Sequence, residues 1–246
     1  MIKIGTRELG KIPAIAVSIS DREDNRILRS AFVDMVEIRV DQFGKTDPSH
    51  IRNIIMMRRK AGVPLILTVR SREEGGRKVI SDDLKLKIFK DNIPLVDAVD
   101  IELKSNILPE VVRAARKNKK IVIVSAHDFK ITPNDKILKD TLAKAIRSGA
   151  HIVKIAAKAN REEDVARLMR FTMENKSKNM ITISLGEIGS ISRLIFPGFG
   201  SLITYAYISR PSGLGQRTLR ELREHLRIYY PGYNRYFALC REAVSH

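Results

Sequence analysis

Eight short apolar runs rich in β-branched residues punctuate the chain: "IPAIAVSIS" from Ile12, "MVEIRV" from Met35, "PLILTVR" from Pro64, "AVDIEL" from Ala98, "KIVIVSAH" from Lys120, "HIVKIAA" from His151, "MITISLG" from Met180 and "LITYAYI" from Leu202. Between them lie stretches with apolar residues at helical spacing, among them "PSHIRNIIMMRRKAG", "SDDLKLKIFKDN", "PEVVRAARKNKK", "NDKILKDTLAKAIRSG" and "NREEDVARLMRFTMENK". Strand and helix alternate, and alternation at this spacing argues for a parallel sheet covered by helices. Eight units allow that sheet to close into a (β/α)8 barrel of the TIM type. An open doubly wound sheet is the alternative. It lacks support from a "GxGxxG" or "GxxxxGK" pattern after the first run.

Local signals mark the helix ends. Ser81 and Asn160 suit N-caps, Pro109 suits a first helical position, and Gly62 and Gly149 suit left-handed C-terminal residues. No Pro-, Gly- or Ser-rich linker divides the 246 residues, so one barrel domain over 1–246 is expected. The leading "MIKIGTRELGK" reads as a small hairpin at the barrel floor, and about 227–246 as a C-terminal extension.

Composition narrows the function. At 43% hydrophobic and 30% charged residues the chain can bury an ample core. No apolar run approaches the roughly 18 residues of a membrane span, and the first residues lack the apolar centre of a secretory signal, so a cytoplasmic protein is expected. The one cysteine, Cys240, cannot form an intramolecular disulfide or a thiolate cluster. The formal charge of +17 favours anionic partners without choosing among nucleic acid, lipid and a carboxylated metabolite.

In such barrels chemistry gathers at the C-terminal ends of the strands, and polar residues crowd there inside the apolar runs. Ser18 lies late in the first run, Glu37 and Arg39 in the second, Arg70 at the end of the third, Asp100 and Glu102 in the fourth. His127 ends the fifth run, Lys154 interrupts the sixth, and Arg193 follows the seventh. Residues i and i+2 of a strand share a face, so Glu37 points with Arg39 and Asp100 with Glu102. The set is either a scaffolding network of buried ion pairs or a reactive site. Lys154 can snorkel to water; held among cations and apolar walls it would instead lose its proton near neutral pH and form an imine with a ketone. A histidine one strand away could move protons for that imine, and arginines could hold a carboxylate. Taken singly, His127 also suits a core histidine, and Glu74 in "RSREEGG" a solvated loop.

The segments "VEIRVD", "LTVRSREEGG", "VDIEL", "VSAHDF", "VKIA", "ISLGEIGSISRL" and "PSGLGQ", in that order from about Ile12 to about Leu226, closely resemble the type I 3-dehydroquinate dehydratases of the shikimate pathway. The resemblance implies a (β/α)8 barrel that converts 3-dehydroquinate to 3-dehydroshikimate by syn elimination through a Schiff base, without metal or organic cofactor. It implies that Lys154 forms the imine, that His127 is the general acid and base, and that Glu74, rather than Glu73, orients the histidine. Arg193 matches the residue that grips the substrate carboxylate. Ser18, Glu37, Arg39 and Arg70 resemble the polar cluster around the substrate hydroxyls and the imine. Ser212 and Gln216 resemble a mobile lid, and Tyr205 stands where an aromatic ring is expected. A homodimer is implied as well.

Ile183 and Leu185 depart from the methionines of many bacterial members and keep an apolar wall. The tail holds Tyr229, Tyr230, Tyr233, Tyr236 and Phe237 among Arg227, Arg235 and Arg241, a mixture that could stack nucleobases or simply dock a helix. Two other functions compete with the dehydratase: a class I aldolase with a strand-six lysine, and an inactive basic barrel that binds nucleic acid. The first lacks a phosphate cradle, since "GEIGSISRL" offers an arginine instead. The second leaves lysine, histidine and arginine at the three required positions unexplained.

Overall fold

The computed structural model describes residues 2–24 and 33–244. The chain opens with an antiparallel hairpin, β1 (Lys3–Ile4) and β2 (Arg7–Glu8). The eight apolar runs become strands β3 (Ile15–Ile19), β4 (Met35–Arg39), β5 (Leu65–Thr68), β6 (Ala98–Glu102), β7 (Ile121–Asp128), β8 (Ile152–Lys158), β9 (Met180–Leu185) and β10 (Thr204–Tyr207). They pair in parallel from β3 through to β9, and β10 returns beside β3. A short β11 (Arg217–Thr218) adds a ninth member next to β10. The round closes between β9 and β10 through a parallel bridge from Met180 to Ser201, with Leu202 N–H donating to Met180 O at 2.8 Å.

Helices α1 (Pro48–Arg59), α2 (Asp82–Asn92), α3 (Leu108–Lys117), α4 (Asp135–Arg147) and α5 (Glu162–Glu174) fill the crossovers from β4 to β9. Their starts follow local chemistry. Asp47, Ser81 and Asn134 each accept a backbone N–H of the first turn. Pro109 is the second residue of α3, and Gly62 and Gly149 adopt φ of 75° and 103°. Asn160 is not a cap. The carboxylate of Asp164 accepts the Asn160 N–H at 3.0 Å, and the Asn160 amide turns away to donate to Lys130 O at 2.8 Å. After β9 come two single-turn helices, α6 (Gly186–Gly189) and α7 (Ser192–Ile195), and the chain ends in α8 (Leu219–Tyr229) and α9 (Pro231–Val244). Among the described residues no helix is long and apolar enough to cross a membrane.

The barrel interior is layered by strand register. Met35, Ile66, Ala98, Ile123 and Ile152 form an apolar lower layer, joined by Ile4 and Leu9 of the hairpin segment, which closes the floor. Two residues further along each strand, on the same face, stand Glu37, Thr68, Asp100, Ser125 and Lys154. The apolar layer anchors the polar one from below. Outside the sheet a larger apolar cluster fills the space beneath the helices.

The tail docks on the barrel. Tyr233 and Phe237 are buried, and Arg7, paired with the buried Asp34 at 3.2 Å, lies 4.1 Å over the ring of Tyr236. These rings are therefore not displayed for stacking on nucleobases. The side chain of Cys240 lies outside the described residues.

Candidate active site

Of the residues singled out by the sequence, Ser18, Glu37, Arg39, Arg70, Glu74, His127, Lys154, Arg193, Tyr205, Ser212 and Gln216 line one cavity at the C-terminal end of the barrel, while Asp100 and Glu102 pair with its Lys154 and Arg70. Ile183, Leu185 and Phe129 supply apolar wall.

Lys154 is 5% exposed, so it does not snorkel. Its Nζ donates to Asp100 Oδ2 at 2.9 Å and Glu37 Oε1 at 3.4 Å, and sits 4.0 Å from the ring centre of Tyr205. Burial favours the neutral amine, but the two carboxylates outweigh it and hold the ammonium above its ordinary range. This corrects the expectation of a lysine neutral at pH 7: the nearest charges are anions, not cations. Against their burial, Asp100 is kept ionised by Arg70 and then Lys154, and Glu37 by Lys154 and then Arg39.

The carboxylates are held in turn. Arg70 donates to Asp100 at 2.7 Å and Ser125 at 2.8 Å and pairs with Glu102 at 3.1 Å, so it braces the lysine's counter-ion. Ser18 Oγ and Thr68 Oγ1 donate to Glu37 at 2.6 and 3.1 Å. Arg39 is clamped by Asp41 through two hydrogen bonds of 2.8 and 2.9 Å.

His127, at the end of the long strand β7, contacts Glu74 Oε2 through Nδ1 at 2.8 Å, and its backbone N–H donates to the same oxygen at 3.1 Å. Glu74 is buried whereas Glu73 is exposed, so of the two it is Glu74 that meets His127. Two glycines make that loop possible. A Cβ on Gly76 would lie 2.2 Å from the carbonyl oxygen of Arg70, and Gly75 has φ of 87°. Burial pushes Glu74 up to about 7 against the pull of Arg70. Burial, then the charges of Arg70 and Lys154, push His127 well below its ordinary range, so the imidazole is neutral. Once Glu74 is ionised, Nδ1–H donates to it and Nε2 remains the basic nitrogen.

Arg193, at 4% exposed, meets three backbone carbonyls: Gly215 at 2.9 Å, Leu214 at 3.0 Å and Tyr205 at 3.3 Å. Among the described residues no carboxylate is paired with it, and burial with nearby Arg217 lowers it to about 10. A buried cation so placed is an anion site. Two of these carbonyls, those of Leu214 and Gly215, belong to the 211–216 segment, where Gln216 Oε1 accepts from Ser212 N–H at 2.6 Å, Ser212 Oγ at 3.0 Å and Gly213 N–H at 3.2 Å. Among the described residues the hydroxyl of Tyr205 is buried without a well-formed hydrogen bond. Among the described residues no group of three His, Cys, Asp or Glu side chains is placed to hold a metal ion.

The model of the type I 3-dehydroquinase family matches residues 14–232. The chain belongs to this family. A 3-dehydroquinate dehydratase of Hydrogenobaculum is 38% identical over 218 residues, which span 88% of this chain and 98% of that protein. The crystal structure of the Aquifex aeolicus enzyme superposes with a TM-score of 0.78 at 37% identity, covering 88% of this chain and 99% of the other. The type I enzyme from Clostridium difficile, solved with covalent modified comenic acid, gives 0.86 at 31% identity over 94% and 98%. As a type I 3-dehydroquinase the chain is a hydro-lyase by descent.

Asp41, Thr68, Ser125 and Phe129 belong to the same site and were not legible as such. Thr68 and Ser125 each sit two residues before a singled-out residue on the same strand face, which was the available signal. Asp41 lies past the end of β4, where alternation no longer assigns a face.

Proposed function

We propose that this type I 3-dehydroquinase dehydrates 3-dehydroquinate to 3-dehydroshikimate by syn elimination through an imine on Lys154. The observation that supports this most is the meeting of one buried lysine, the His127–Glu74 pair and the carboxylate-free Arg193 around a single cavity. The covalent ligand of the C. difficile relative fits a site built for adduct formation.

The amine must first lose its proton. His127, neutral and lining the same cavity, is the acceptor. Nitrogen then adds to the ketone carbon, and the carbinolamine oxygen leaves as water with a proton returned by His127. The resulting iminium carries its positive charge where the ammonium had been, opposite Asp100 and Glu37. The carboxylates that oppose deprotonation thus favour the charged intermediate. His127 next removes the proton from the carbon beside the iminium, giving an enamine. Its electrons expel the hydroxyl one carbon further on, which takes the proton from His127 and departs as water. One imidazole serving both steps makes the elimination syn. Water then hydrolyses the product imine and frees Lys154.

Arg193 holds the substrate carboxylate by paired hydrogen bonds, while Ser18, Glu37, Arg39 and Arg70 surround the hydroxyls and the imine. The cavity holds about 60 Å³, well short of the roughly 300 Å³ at the lower end of ligand pockets, so the segment with Ser212 and Gln216 must lift to admit a six-membered ring. A single barrel domain, a homodimeric assembly and a cytoplasmic location complete this proposal. Static light scattering tests the dimer. The test of the reaction is turnover: 3-dehydroquinate should yield the conjugated, ultraviolet-absorbing 3-dehydroshikimate with the natural chain and not with Lys154→Ala. A variant as active as the natural chain would refute the imine.

A further inference from the structure

Asp41 closes the segment "VEIRVD", and nothing in the proposed chemistry uses it. It lies on a 3-10 turn, Val40–Gln42, that leaves the end of β4, and it is 0% exposed. Both of its oxygens are occupied. Oδ1 accepts from Arg39 Nε at 2.8 Å and Oδ2 from Arg39 Nη2 at 2.9 Å, a bidentate fork that fixes one edge of the guanidinium, with no hydrogen bond from Nη1 among the described residues. Oδ2 also accepts the backbone N–H of Arg77 at 3.2 Å. Arg77 in turn donates from Nη2 to Pro211 O at 3.4 Å, at the foot of the segment that carries Ser212 and Gln216.

One buried carboxylate therefore joins three parts of the barrel mouth: the end of β4, the loop bearing Glu74, and through Arg77 the lid. Arg39 is long and flexible, and a guanidinium with no partner at 6% exposure would be an uncompensated buried charge. Attraction to Asp41, followed by Glu37, outweighs the effect of burial on it. The fork thus decides both that Arg39 stays inside the cavity and which nitrogens face it.

We propose that Asp41 is a positioning residue for the dehydration: it sets the Arg39 guanidinium against the substrate hydroxyls and ties that setting to the Glu74 loop through the Arg77 N–H. This inference rests on the reaction proposed above. A merely structural ion pair would stabilise the fold without coupling to substrate, so the test measures coupling.

Steady-state kinetics with 3-dehydroquinate on the full chain should compare the natural protein, Asp41→Asn, Arg39→Ala and the double variant. Asp41→Asn is expected to lower kcat/KM by about tenfold to a hundredfold, the size of effect produced by misplacing a substrate-orienting group, chiefly through KM. The double variant should be no worse than Arg39→Ala alone. Independent, multiplying losses would overturn the inference, as would an unchanged kcat/KM in Asp41→Asn. Should Asp41→Asn not fold, Asp41→Glu keeps the charge and displaces the fork. Its KM should rise while its unfolding temperature holds, and an unaltered KM would equally overturn the role. If the natural chain does not turn over 3-dehydroquinate at all, the dehydratase proposal falls and this inference with it. An active chain with uncoupled variants removes this inference alone.

Discussion

Lys154 Nζ and Asp100 Oδ2 stand 2.9 Å apart and both residues are buried, which makes Lys154 at rest an ion-paired ammonium. Replacing Asp100 by Asn removes one of its two counter-ions and also the partner of Arg70 at 2.7 Å. Two buried cations are then under-compensated, so a loss of about 3–5 kcal/mol is expected in denaturant unfolding. The free amine should also appear at lower pH, seen as a shift in the pH profile of Lys154 modification by a small aldehyde. A profile identical to that of the natural protein would show that Asp100 does not hold the proton.

Glu74 gives the pH dependence a definite sign. Its ordinary value is 4.5 and the folded one about 7, so the native state binds the extra proton between these limits and stability falls as pH rises through that window. The gap corresponds to about 3 kcal/mol. His127 acts oppositely: it is depressed, so its burial destabilises the fold as pH drops below about 6.5, its ordinary value. Glu74→Gln removes the first effect only, and its stability relative to the natural chain should grow from pH 5 to pH 8. The acid limb of kcat/KM near pH 7 should also vanish or move. A constant difference across this range contradicts the assignment.

Arg193, the proposed carboxylate site, donates to the Leu214 and Gly215 carbonyls of the segment that carries Ser212 and Gln216. Arg193→Ala should raise KM by about tenfold or more, consistent with loss of a charged hydrogen bond of about 1.5–3 kcal/mol, and should leave borohydride trapping intact at saturating substrate. A normal KM would mean that another cation holds the carboxylate.

Among the described residues the hydroxyl of Tyr205 is buried without a well-formed hydrogen bond, whereas its ring packs on Lys154. Tyr205→Phe keeps the ring and removes the unsatisfied oxygen, so thermal unfolding should show no loss and a gain of up to about 1 kcal/mol. A loss of that size would reveal a partner for the hydroxyl.

Gly76 is set by contact, not by flexibility, because a Cβ there would overlap the carbonyl oxygen of Arg70. Gly76→Ala should therefore displace Glu74 from His127 and lower kcat at saturating substrate, while a variant with natural kcat would show that the loop relaxes freely.

Much of this site was legible because its chemistry sits on strands. Period-two alternation places Glu37, Asp100 and Lys154 on the inner face above an apolar layer, and barrel topology says that this end is reactive. What alternation cannot supply is distance. Whether Lys154 neighbours cations or carboxylates depends on register between β4, β6 and β8, and the expectation of a neutral amine failed there. Asn160 misled for a local reason: the N-cap position falls one residue later, on Arg161, and the Asn160 N–H is itself taken up by Asp164. Asp41 and the lid lie on turns, where no periodicity fixes direction. The family model stops at residue 232, and of the two readings that the tail's sequence allows, the burial of Tyr233 and Phe237 selects the docked helix.

The central claim is covalent, and one measurement reaches it directly. The natural chain should be mixed with 3-dehydroquinate and borohydride, digested, and examined by peptide mass spectrometry. A reduced adduct on the peptide bearing Lys154, absent from Lys154→Ala, is the predicted result. A folded, active chain that turns over substrate yet yields no adduct at Lys154 would contradict the account.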